Sequence, residues 1–370
     1  MFRINLSPYK GTKEYFQIFD VLLKSTEITK DSFLLENGIT PSSYRLARKQ
    51  EQNIGKSIIE ILSNKFNYKL LQNEKLDEIE DKINEIYFDM YYKIFKNYDE
   101  HIKYLDDLLK ENYLIFPILK LMKLFLLLST GKDHKQYEEE LTPIFEEIKK
   151  YKSFFVSGLD IIYEIVKIIL DDIDINDYIL NQYDNGDIYY SLSTQALLKQ
   201  KYMEGLYFAN KSKEILLRDG NYKRIIFLNL NFFTFYAHFK NYQDCYDLSK
   251  SQLLLLKSFK MEDDIKTQTL KFYLLSALAL EKYDEVIAMI EEKQSMVITE
   301  FCEYLVALYK TNNDKYLQTL NETLNDSQND NETINICKIM DEYLQKNNKK
   351  ILNDLRGLVL EVFIELLKDK

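Results

Sequence analysis

Side chains able to do acid–base or metal chemistry are few and scattered. Three histidines (His101, His134, His238) and three cysteines (Cys245, Cys302, Cys337) share no metal-ligand or disulfide-framework spacing. No glycine-rich phosphate loop and no nucleophile elbow occurs. Acidic pairs such as Asp106-Asp107 and Asp171-Asp172 read most simply as solvated helix faces. We therefore expect no enzyme, no metal and no cofactor. What the chain does concentrate is cationic chemistry. Residues 38–58, GITPSSYRLARKQEQNIGKSI, hold Arg45, Arg48, Lys49 and Lys56 beside the hydroxyls of Ser42 and Ser43. On a helix laid in a DNA groove, Arg45 and Lys49 would face base edges, arginine being the usual reader of guanine O6 and N7. Ser42, Ser43, Arg48 and Lys56 would hold phosphates. The competing reading is a solvated helix face, with Arg45 and Arg48 paired to acidic neighbours.

Such a segment needs elements that present it. KDSFLLEN reads as a short first helix. Gly38 then supplies a left-handed turn without steric cost, Ile39 plugs the core, and Thr40 and Pro41 suit an N-cap and first helical position. Within the second helix Tyr44 and Ala47 share a side and should pack on Phe33 and Leu34. KEYFQIFDVLLK and IGKSIIEILSNKF supply helices on either side.

The whole chain has 370 residues, with 49 basic and 59 acidic side chains and a net charge of -10. Residues 1–70 carry 11 Lys and Arg against 7 Asp and Glu, leaving 38 against 52 beyond them. A basic head on an acidic body predicts a polyanion-binding unit at 1–70 and a second unit at 71–370. No membrane partner is expected: the most apolar run, YLIFPILKLMKLFLLLSTG, is interrupted by Pro117, Lys120 and Lys123 and reads as a buried helix. The cysteine usage and the lack of a signal peptide predict a cytoplasmic setting.

Only 9 Gly and 4 Pro, with apolar residues at three and four spacing as in Ile161, Ile165, Ile168 and Ile169, predict an all-α fold. A weak repeat runs from about residue 75. LLKQKYMEGLYFANKSKEILL, YAHFKNYQDCYDLSKSQLLLL and LALEKYDEVIAMIEEK each read as helix, polar break, tyrosine, helix. Tyr202, Tyr242 and Tyr283 are 40 and 41 residues apart, with weaker copies at Tyr98, Tyr137 and Tyr316. Three places on stand Gly205, Cys245, Val286 and Thr319, small enough for two helices to approach closely. The asparagine-rich stretch TLNETLNDSQNDNETINICK is expected to be a loop. The amphipathic end, ILNDLRGLVLEVFIELLKDK, should cap the array or pair with its copy in a second chain.

The break-tyrosine-small pattern resembles the tetratricopeptide repeat family over residues 75 to 335, without its tryptophan or capping proline. The resemblance implies a right-handed superhelix of degenerate helical hairpins. Residues 30–50 resemble the helix-turn-helix of bacterial repressors, with Leu34 where a small residue is usual. Together the layout resembles the peptide-pheromone receptors of Gram-positive bacteria, the RRNPP group with its Rgg, PlcR, NprR, PrgX and AimR types. That resemblance implies a cytoplasmic homodimeric transcription regulator, binding double-stranded DNA through residues 1–70. A short signalling peptide would sit in the groove of residues 71–370. Inner-helix amides serve the peptide backbone in that family; the counterparts here would be Asn229 or Asn231, with Tyr236, Gln195 and Gln268 beside them. The main rival is a Rap-like member that binds a partner protein and no DNA. Arg45 and Lys49 displayed together on an open face would favour DNA, and the same residues folded onto acidic neighbours would favour the rival.

Overall fold

The computed structural model describes residues 2–11, 13–49, 53–129, 134–179, 183–258, 263–292, 298–325, 331–356 and 361–369. Those residues are all-α, with no strand beyond one isolated parallel bridge between Lys69 and Tyr113. In order they form α1 (Lys13–Lys24), α2 (Lys30–Glu36), α3 (Pro41–Lys49), α4 (Asn53–Lys65), α5 (Asn73–Tyr91), α6 (Tyr98–Lys110) and α7 (Phe116–Ser129). There follow α8 (His134–Lys149), α9 (Leu159–Leu170), α10 (Gly186–Leu198), α11 (Tyr202–Arg218), α12 (Tyr222–His238) and α13 (Tyr242–Ser258). The last six are α14 (Asp263–Ala279), α15 (Tyr283–Glu291), α16 (Ile298–Thr311), α17 (Asn313–Asn325), α18 (Asn331–Lys346) and α19 (Glu361–Asp369). The chain separates into two compact units, Met1–Ile225 and Ile226–Lys370. The 1–70 segment thus lies inside the larger first unit.

The first unit opens on an extended segment clamped by helices far along the chain. Asn84 of α5 holds Ile4 at both ends, its Oδ1 accepting from the Ile4 N–H and its Nδ2 donating to the Ile4 carbonyl, each at 2.9 Å. The Leu6 N–H donates to Glu80 at 2.6 Å, and the Tyr9 hydroxyl donates to the Phe154 carbonyl at 2.5 Å. Gly158 passes beneath this segment at φ +98°; a Cβ there would stand 2.9 Å from the Phe2 ring, so no larger residue fits. Beyond it, α1 to α4 close around Phe16, Phe19, Leu34, Tyr44 and Leu62, all buried. No described helix is long and apolar enough to cross a membrane. In α7 the lysines of the apolar run are paired, Lys120 with Glu147 at 2.7 Å and Lys123 with Asp106 at 2.5 Å.

The repeated tyrosines mark one recurring turn. Tyr202, Tyr242 and Tyr283 are the first residues of α11, α13 and α15. Two residues before each comes a left-handed residue: Gln200 (φ 57°), Lys240 (φ 57°) and Glu281 (φ 61°). In each turn the next residue's N–H reaches back five places to a helix carbonyl: Lys201 to Ala196 at 2.8 Å, Asn241 to Tyr236 at 2.8 Å, Lys282 to Ala277 at 2.9 Å. This Schellman closure satisfies the last carbonyls of the first helix and reverses the chain into the second. Gly205, Cys245 and Val286 are buried where the paired helices meet, and Thr319 is half-buried.

One sequence expectation needs correction. The asparagine-rich stretch is no loop: most of it lies in α17 and α18, with residues 326–330 outside the described part. Asparagine's modest helix propensity is overridden by Leu320, Ile336, Cys337 and Met340, which bury in the core of the second unit. The amphipathic C-terminus acts as an internal cap: Phe363, Ile364, Leu366 and Leu367 of α19 are buried, and the Tyr343 hydroxyl donates to the Leu367 carbonyl at 2.7 Å.

Candidate functional site

The basic segment is organised by a turn of the same kind as the repeats. At the end of α2 the Gly38 N–H reaches the Leu35 carbonyl at 3.0 Å, and the Ile39 N–H the Leu34 carbonyl at 2.9 Å. Gly38 has φ 73° with open space around its missing side chain, so its backbone freedom is what the position uses. Ile39 is buried. Thr40 caps α3, its Oγ1 accepting from the Ser43 N–H at 3.1 Å while lying 2.7 Å from the Ser43 hydroxyl and 3.0 Å from that of Ser42.

Tyr44 and Ala47 anchor α3, but not on the expected partner. Tyr44 packs edge-on against Phe16 of α1, ring centroids 5.1 Å apart, whereas Phe33 stacks on Phe66 at 5.3 Å. The Tyr44 hydroxyl donates to Asp20 at 3.0 Å. Burial first, and then the neighbouring Asp20 carboxylate, raise the Tyr44 phenol far above its ordinary pKa. Asp20, only 17% exposed, also takes Lys30 at 2.5 Å and Arg48 at 3.1 Å. One carboxylate of α1 thus binds side chains of both α2 and α3.

This hub divides the basic residues. Arg48 is turned back to Asp20, sharing that one carboxylate with Lys30 while its side chain stays 55% exposed. Arg45, Lys49 and Lys56 are exposed and make no ion pair among the described residues. On α3, Ser42, Arg45 and Lys49 recur at three and four spacing and share its outward side. Lys56 belongs to α4, outside that stripe.

The amides proposed for a ligand groove do not form one constellation. Asn229 is buried, and its Nδ2 donates to Gln252 Oε1 of α13 at 2.7 Å. Gln252 in turn donates to the Thr269 hydroxyl of α14 at 2.9 Å, which donates to the Ile265 carbonyl at 2.7 Å. Only the Asn229 Oδ1 is left without a donor. Asn231 is also buried, and Tyr236 is half-buried beside Phe232 at 5.8 Å. Gln195, in the first unit, reaches the Ile169 carbonyl at 3.4 Å, and Gln268 is exposed.

Sequence reasoning passed over two buried polar groups. Asp89 of α5 accepts from Nε2 of the fully buried His101 at 2.9 Å and from Asn97 at 3.3 Å, while exposed Glu85, one turn earlier, holds Lys82 at 2.9 Å. This is the one grouping among the described residues whose ligand atoms converge as a metal site requires. Each member already has a protein partner, so a structural staple accounts for it. The i, i+4 carboxylates were visible in the sequence; their meeting with a histidine across a helix pair was not. The second group is Arg224, 2.8 Å from Asp187 and stacked 3.9 Å above the Tyr190 ring. The three cysteines are free and buried; burial pushes the Cys245 thiol up to about 12 and the Cys337 thiol up to about 11.

No family model, curated protein or solved structure matches this chain. The resemblance to the peptide-pheromone receptors rests on the residues named above.

Proposed function

We propose that the protein is a cytoplasmic transcription regulator that binds double-stranded DNA through α3, with the helical hairpins beyond residue 70 forming a superhelix that responds to a short peptide and pairs two copies. The observation that carries the DNA reading is the split between Arg48, which shares the Asp20 carboxylate with Lys30, and Arg45 and Lys49, which make no ion pair among the described residues. A solvated structural helix in an acidic protein would be expected to pair its cations with nearby carboxylates, as Lys30 and Arg48 do. Two cations with no ion pair among the described residues on one stripe of a capped helix support a surface built for a polyanion. The Rap-like alternative gains no comparable support, because it would fold these side chains onto acidic neighbours.

For the peptide arm the support is narrower. Asn229 is a buried amide with an acceptor to spare in the second unit. Its existing bond to Gln252 makes it the back of a site rather than the rim.

The test is selection of the purified full chain on random duplex DNA, with and without a cell extract rich in small peptides, followed by a salt titration on the enriched sequence. A discrete, roughly palindromic site with affinity falling steeply in salt is expected. Arg45→Ala should lower affinity for it by about 5- to 100-fold, the worth of a bidentate guanine contact. Arg48→Ala should change affinity no more than about threefold, since a surface charge already paired contributes little. Absence of any enriched site under both conditions would overturn the DNA reading.

A further inference from the structure

The outward side of α3 also holds a half-exposed leucine that charge does not explain. Leu46 is 45% exposed, next to Arg45 and three residues before Lys49. The other apolar-faced positions of this short helix, Tyr44 and Ala47, are buried, so its core-facing side is already complete. An exposed leucine beside Arg45 and Lys49 is poorly suited to water and also poorly suited to phosphate. It does suit one feature of a DNA major groove: the thymine C5-methyl, the apolar group that distinguishes T·A from every other pair there.

Resting on the DNA reading above, we propose that Leu46 is a specificity-determining residue that packs on a thymine methyl in the recognised site, beside the bases that Arg45 and Lys49 contact. The two cations set the chemistry of the partner, a polyanion lying along this face, and Leu46 flanks them on the same outward side. Arg45 and Leu46 are consecutive and Lys49 is one turn from both, so the three side chains cover a patch about one helical turn long. A contact of that length spans two or three base pairs, with thymine adjacent to the pair read by Arg45. Leu35, 59% exposed at the end of α2, is the natural control, being equally apolar and equally open but on the other helix.

The experiment uses the full chain and the duplex enriched in the selection described above. Each thymine is replaced in turn by deoxyuridine, which removes the methyl and leaves every hydrogen-bonding group in place. Binding of the wild type should weaken about three- to fivefold at one or two positions, the worth of one methyl removed from an apolar contact. Leu46→Ala should bind the unmodified duplex more weakly by a similar factor and lose its sensitivity at those same positions. Leu35→Ala should keep the wild-type pattern. A flat deoxyuridine scan for the wild type, or unchanged sensitivity in Leu46→Ala, would overturn the assignment while leaving the DNA reading intact. Failure to enrich any duplex would remove both together. A change in the sedimentation of DNA-free Leu46→Ala would place Leu46 against a second copy of the chain and also overturn the proposal.

Discussion

Removing the Asp20 carboxylate should separate the stability of the α1–α3 unit from its charge. In Asp20→Ala the Tyr44 hydroxyl, donating at 3.0 Å from an almost fully buried ring, loses its nearer acceptor and keeps only the longer contact to the Phe16 carbonyl at 3.4 Å. Leaving such a donor unsatisfied costs about 1–3 kcal/mol. Lys30 and Arg48 lose their partner as well, but their side chains are 37% and 55% exposed, so solvent screening holds each contribution below about 0.5 kcal/mol. The sum is about 2 kcal/mol, which predicts roughly 30-fold faster amide exchange in α1 and α3 if these open as one unit. Hydrogen–deuterium exchange resolved to those helices measures this without requiring the whole chain to unfold in one step. Asp20→Asn keeps an acceptor for Tyr44 and should lie within about fivefold of wild type. Charge moves the other way: both variants free Arg48, so non-specific DNA affinity at low salt should rise and the salt slope steepen by about one. Exchange in α1 and α3 within threefold of wild type for Asp20→Ala would refute the hub, whatever happened to DNA binding.

Other outcomes are equally specific. The Glu285 carboxyl is held down to about 2, chiefly by the Tyr246 hydroxyl at 2.6 Å, with Lys250 at 3.1 Å and Tyr273 at 2.9 Å adding to it against partial burial. A depressed carboxyl stabilises above its unfolded value near 4.5 and loses that contribution as pH falls toward 2. With the side chain 40% exposed, Glu285→Gln should cost about 1 kcal/mol at pH 6 after screening, and the gap should narrow steadily in thermal melts taken between pH 5 and pH 3. Gln252→Leu strands the Asn229 amide, while the Thr269 hydroxyl keeps its bond to the Ile265 carbonyl, and should destabilise the second unit by about 1–3 kcal/mol in urea unfolding. A loss below 0.5 kcal/mol there would mean that water replaces the glutamine. Native protein should react with a thiol reagent at neutral pH at far less than one cysteine per chain, rising to all three in denaturant.

Much of the local structure was legible because it depends on residue type over a few positions. Gly38, Ile39, Thr40 and Pro41 each have one favourable role, and in sequence they specify a turn, a plug, a cap and a helix start. Tyr202, Tyr242 and Tyr283 marked the starts of their helices. The turns before them were harder to see, since Gln200, Lys240 and Glu281 occupy left-handed backbone that glycine or asparagine usually fills, at a cost of about 1–2 kcal/mol each. The sequence read them only as a polar break. What stayed hidden is tertiary. Tyr44 could not be matched to Phe16 rather than Phe33 from spacing, and the pull of Asp20 on Arg48 joins residues 28 positions apart. The orientation of Asn229 is a matter of helical phase. In LNLNFFTFY apolar residues surround both asparagines, so no amphipathic stripe fixes which way either points, and the bond to Gln252 had no sequence signature.

The clamp on the chain's first residues also bears on how freely the basic helix can move. A segment joined to its neighbour by a single linker pivots about that linker, whereas one fastened at both ends has no hinge. Residues 13–65 are fastened at both ends. Behind them, the Lys69 N–H donates to the Asn112 carbonyl at 2.9 Å and the Lys69 carbonyl accepts from the Leu114 N–H at 3.0 Å. Ahead of them, Ile4, Leu6 and Tyr9 are locked to α5 and to the Phe154 carbonyl. Moving α1 to α4 as a group therefore means first releasing the Ile4, Leu6 and Tyr9 segment from α5 and from the Phe154 carbonyl.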